Sequence, residues 1–90
     1  MNRSKLDESL RKLKAELKSV EPADDLARER LIKLDAEIHR ILGKPGEVPP
    51  DHGHGLRESL ENSLAYYEAS HPTLTALMSR VLKALSDMGI

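Results

Sequence analysis

Leu6, Leu10, Leu13, Leu17 and Val20 stand four, three, four and three residues apart. At 100° per residue, the five fall within an arc of about 80° on a helix. That is a narrow seam of the coiled-coil kind, not the wide apolar face of a globular helix. Ser4 suits the N-cap, and Asp7 and Glu8 near the first turn suit the helix dipole. The spacing predicts a first helix over residues 4–20.

The same spacing returns downstream. Ala27, Leu31, Leu34, Ile38 and Ile41 again run four, three, four, three. Between the two seams stands Glu21-Pro22, and a proline removes an amide donor and clashes with the carbonyl four residues back. Asp24 and Asp25 follow it, where a new helix wants its acids, so a true break is expected. Gly43 and Pro45 give a stop signal. The second helix is expected over residues 23–42.

Residues 43–55, GKPGEVPPDHGHG, hold 4 Gly and 3 Pro. They read as a linker dividing two helical halves. The third helix is expected to begin near Leu56, or at the earliest behind Asp51 as N-cap. Its stripe is Leu56, Leu60, Leu64 and Tyr67. Ser70-His71-Pro72 reads as a helix start, with Ser70 as the cap and proline in the first turn. A fourth helix over residues 72–88 carries Leu74, Leu77, Met78, Val81, Leu82, Leu85 and Met88 over about 140° of arc and is expected to be the most buried. The heptad phase runs through both Pro22 and Pro72, so two long kinked helices compete with four short ones. The fold expected is all-α: one domain over residues 1–90, a small antiparallel bundle with coiled-coil-like packing.

Composition agrees. Of the 90 residues, 15 are leucine, none is Phe, Trp or Cys, and Tyr66 and Tyr67 are the only aromatics. Leu, Ala, Glu, Lys and Arg are strong helix formers. Without cysteine there is neither a disulfide nor a thiolate metal site. The amino-terminal stretch is charged throughout and no window spans a membrane, so the expected setting is the cytoplasm. Net charge is −1, which argues against nucleic acid as a partner.

The segment from Tyr67 to Ile90, YEASHPTLTALMSRVLKALSDMGI, carries Glu68, Ala69, Ser70, His71, Pro72, Thr73 and Leu74, then Met88, Gly89 and Ile90. In these residues the chain resembles the bacterial domain-of-unknown-function family 4404, whose members have about this length. The resemblance implies a small all-helical bacterial protein. It supplies no activity.

Four candidate sites follow. Asp51, His52 and His54 are of metal-ligating types, but no second cluster completes four ligands, and His39 and His71 stand alone. They read as a solvated turn, with no metal or other cofactor expected. Ser70 beside His71 invites a nucleophile–base reading. Neighbouring side chains usually diverge, and no orienting acid or oxyanion donors are visible, so no enzyme is expected. Lys5, Arg11, Lys12, Lys14 and Lys18 are interleaved with Asp7, Glu8 and Glu16, as in a solvated, ion-paired face. One tyrosine is expected in the core and one at its rim.

The seams themselves are the fourth candidate: Leu6, Leu10, Leu13, Leu17, Leu31, Leu34, Ile38 and Ile41. A short chain with few rings and no disulfide gains from association. A homo-oligomer, a dimer first, or an unknown protein partner is therefore expected to bury them. The leading function is a non-enzymatic structural or protein-interaction module. The alternative is a small ligand- or metal-responsive regulator using His52, His54 or His71.

Overall fold

The computed structural model describes residues 3–44, 46 and 48–90. Four helices follow one another: α1 (Arg3–Leu17), α2 (Asp25–Leu42), α3 (Pro50–Tyr67) and α4 (Pro72–Asp87). α1 packs on α2 and α4, and α3 packs on α2 and α4, while neither diagonal pair meets. The arrangement is therefore a square bundle. Successive helices run antiparallel: Arg3 at the start of α1 reaches the end of α2, and Arg57 near the start of α3 reaches Ile90 beyond α4.

One core runs through the square. Leu6, Leu10 and Leu13, Leu34 and Ile38, Leu56 and Leu60, and Met78, Val81 and Leu85 are wholly buried in it. Burying each leucine is worth about 2–3 kcal/mol. The radius of gyration, 12.2 Å, is what a folded 90-residue domain is expected to have, about 12 Å. In α4 the inner positions are buried, while Leu77, Leu82 and Met88 are partly covered.

The break at Pro22 is real and comes early. α1 ends at Leu17, and the next three amides turn to carbonyls three residues back: Lys18 to Ala15, Ser19 to Glu16, Val20 to Leu17. Val20 lies outside the helix yet stays buried. Asp24 caps α2, its carboxylate accepting from the Ala27 amide at 2.8 Å. At the other end Gly43 is the C-cap in right-handed geometry, and Arg3 donates to the carbonyls of Ile41, Lys44 and Gly46. A cation on the last carbonyls of a helix satisfies acceptors that the helix leaves unpaired. Ser4, the expected cap of α1, lies inside the helix, and the stop signal at Pro45 lies outside the described residues.

Two expectations need correction. The linker 43–55 is irregular only as far as Pro49, because DHGHG forms the first turns of α3. Pro50 stands at the helix start, where its missing amide costs nothing, with Asp51 in the first turn. Gly53 is buried, and a Cβ there would collide with Cγ2 of Ile90 and stand 3.2 Å from its Cδ1. Each helical glycine costs about 1 kcal/mol relative to alanine. Here the glycine makes room for the end of the chain.

That end is itself built for the contact. Gly89 takes φ of 80°, a left-handed conformation open to glycine. The Ile90 amide then reaches back to the Leu85 carbonyl at 2.9 Å, closing α4 in the manner of a Schellman motif. Arg57 donates to the main-chain oxygen of Ile90 at 2.9 and 2.6 Å and to Ser86 Oγ at 2.7 Å. The Met-Gly-Ile segment is thus a clasp between α4 and α3.

The second correction concerns Ser70. The residue capping α4 is His71, with no side-chain cap bond, and Pro72 follows as the first helical residue. Residues 68–71 are non-helical, so α3 and α4 are separate helices and not one kinked rod.

Candidate interaction face along the second helix

The seam residues lie in the interior of a single chain. Leu6, Leu10, Leu13, Leu34 and Ile38 are wholly inaccessible, Leu17 and Ile41 nearly so, and Leu31 is partly buried. The two narrow seams face each other and the stripes of α3 and α4, which completes the core within one chain.

The histidines do not assemble into a metal site. With DHGHG helical, His52 and His54 are two residues apart and point about 160° away from each other. Among the described residues no three His, Cys, Asp or Glu side chains come together as a metal-holding group. His52 is half-buried, and its Nδ1 is enclosed without a hydrogen-bond partner.

Ser70 and His71 are closer than expected. The Ser70 hydroxyl lies 2.9 Å from His71 Nδ1, because the turn between α3 and α4 sets both side chains on one side. The His71 ring stands edge-on to Tyr67, with centroids 5.3 Å apart. Tyr67 is the core tyrosine and Tyr66 the rim tyrosine, the latter 45% exposed beneath the Arg30 guanidinium. The Tyr67 hydroxyl is buried without a partner. Its pKa is raised, first by burial and then by the neighbouring Tyr66, with Arg30 opposing.

Lys5 and Lys12 of α1 face α4 across a cleft of 290 Å³ that also holds Arg80, Lys83, Glu8 and Asp87, whereas Lys14 and Lys18 stand on the side of α1 toward α2. Lys12 is paired with Glu8 at 3.2 Å. Charges of both signs are interleaved there.

The feature missed by counting leucines is the outer face of α2. Ile32 is 62% exposed, in a residue type that is usually buried. It borders a shallow groove of 450 Å³ between α1 and α2, floored by Leu17, Leu31 and Ala36 and edged by Lys18, Asp35 and His39. Lys14 of α1 lies 3.2 Å from His39 Nδ1 beside it. On the other side of α2, Leu26 is 59% exposed near Tyr66. The three exposed large apolar side chains of the described residues are thus Leu26 and Ile32 on α2 and Tyr66 on the adjoining α3. The signal was available: isoleucine at position 32 stands off the four-three seam.

No helix among the described residues is long and apolar enough to cross a membrane. A family model with the description Domain of unknown function (DUF4404) matches residues 6–90. No curated protein and no solved structure matches.

Proposed function

We propose that this chain, which belongs to the domain-of-unknown-function family DUF4404, is a non-enzymatic protein-interaction module that presents the outer face of α2. The observation that carries this reading is Ile32, 62% exposed beside an apolar groove, in a chain whose own seams are closed. Exposing an isoleucine over a groove gains nothing for the isolated fold, whereas covering both removes apolar surface from water. The groove runs along a helix and suits an amphipathic helix as occupant. The non-enzymatic part is supported by the turn at Ser70 and His71: it is solvent-facing, and among the described residues no carboxylate hydrogen-bonds to His71. The proposed setting is the bacterial cytoplasm, in keeping with a cysteine-free, highly charged chain.

A photo-crosslinking side chain tests the reading directly. Placed at position 32 in cells, it is expected to give discrete protein adducts that the same group at Glu58, exposed on α3, does not give. Equal or absent adducts at the two positions would refute it.

A further inference from the structure

We infer that the occupant of this face is a second copy of the chain, docked antiparallel along α2 about a two-fold axis. The inference rests on the interaction-module reading and adds the identity and orientation of the partner.

α2 carries a second stripe with the spacing of its inner seam. Asp25, Glu29, Ile32, Ala36, His39 and Gly43 stand four, three, four, three and four residues apart, and all six are exposed. They fall within about 80° of arc, on the side of the helix opposite Leu34 and Ile41. The stripe is graded. Its amino-terminal end is acidic, its middle is Ile32 and Ala36, and its carboxyl-terminal end is His39 with the Lys14 ammonium 3.2 Å from the ring.

A graded stripe is complementary to itself in one orientation. Turned antiparallel, Ile32 of one copy lies on Ala36 of the other, and Glu29 lies at the Lys14–His39 pair of the other. The same contacts recur on the far side of the axis, as a two-fold interface requires. Parallel docking in register would set Asp25 against Asp25 and Glu29 against Glu29, and like charges in contact are unfavourable. Ala36 and Gly43 present no bulk, so the helices can approach to the usual 8–10 Å.

The molecule measures 35 × 20 × 19 Å, so a whole long face offers roughly 700 Å² in projection and the α2 stripe only part of it, which falls short of a standard interface at about 800 Å² per partner. With Ile32 as its only large apolar anchor, such a dimer dissociates on dilution and is not obligate.

The test is mass by light scattering over a concentration series at low salt. The native chain is expected to rise from 10.0 kDa toward twice that value as concentration increases. Ile32→Glu is expected to stay at 10.0 kDa with unchanged helix content, because position 32 takes no part in the core. Glu29→Lys is expected to weaken association at least tenfold, and adding Lys14→Glu to it to restore association. A native chain that stays at 10.0 kDa throughout would overturn the inference, as would an Ile32→Glu chain that dimerises like the native one. Adducts from position 32 to a different protein, with a monomeric native chain, would overturn the self-partner and leave the interaction reading standing. No adducts and no dimer would remove both.

Discussion

α2 carries two stripes of like spacing with opposite fates. The inner one, with Ala27, Leu34, Ile38 and Ile41, is sealed inside the bundle. The outer one, with Asp25, Glu29, Ile32, Ala36 and His39, faces away from it. Spacing alone sets which residues share a face, and the side chains on that face set whether the chain closes over it. Leucine or isoleucine at positions 34, 38 and 41 leaves no choice. One isoleucine between acids and a histidine makes a face that the isolated fold leaves in water. α3 shows a related contrast, with Gly53 and Tyr67 buried, Gly55 half-buried beside Glu37 of α2, and Tyr66 exposed.

Each pair can be broken experimentally. The largest effect is expected in α2: Ile38→Ala loses about 3 kcal/mol of stability, from lost burial and the cavity left behind. In thermal unfolding that is a fall of roughly 12–24 °C for a domain of this size.

Next comes Gly53→Ala, where the added methyl meets Ile90; overpacking of this kind costs about 1–3 kcal/mol. Trimming the partner with Ile90→Ala in the same chain is expected to recover part of that loss. Gly55→Ala is expected to have the opposite sign and stabilise by about 0.5–1 kcal/mol. Its nearest obstacle is the Glu37 carboxylate, the far end of a movable side chain, and alanine is the better helix former. Chemical denaturation of the two variants decides it, and equal effects would show that DHGHG is not packed as described.

A smaller effect separates the tyrosines. The Tyr67 hydroxyl is buried without a partner, so Tyr67→Phe is expected to be neutral or to stabilise by up to about 1 kcal/mol. Burial raises the pKa of Tyr67 above the ordinary 10.0, so the folded chain holds a proton that the unfolded chain gives up first. Its contribution to stability is therefore complete below pH 10.0 and is lost as pH rises through the folded-state value. Denaturation midpoints measured across that range are expected to fall more steeply for the native chain than for Tyr67→Phe. The smallest effect belongs to the outer stripe: in dilute solution Ile32→Ala is expected to change stability by less than about 0.5 kcal/mol.

Much of this architecture was legible in the sequence. The seams, the break at Pro22 and the core tyrosine follow from local rules, because apolar spacing and proline geometry act within a few residues. The start of α3 was not legible. Gly53 and Gly55 lower helix propensity, and what offsets that is packing against Ile90, far along the chain. The cap at Ser70 failed because α4 begins at Pro72, which leaves His71 at the cap position, and the Ser70 hydroxyl lies beside His71 Nδ1 instead. The outer stripe escaped because counting apolar positions passes over a face that mixes isoleucine with charge. The seam residues are apolar and buried or partly buried, but their burial inside one chain depends on four helices closing in a square, which spacing does not reveal.

The most direct measurement exploits the absence of cysteine. Two single variants, Ile32→Cys and Leu34→Cys, are alkylated at low and high protein concentration. In dilute solution the thiol at position 32 is expected to react at the rate of an open thiol and to slow as concentration rises. The thiol at position 34 is expected to stay protected throughout. If position 34 reacts as fast as position 32 in dilute protein, the inner seam is not closed within one chain. If position 32 reacts at one rate at every concentration, no second copy covers the outer stripe.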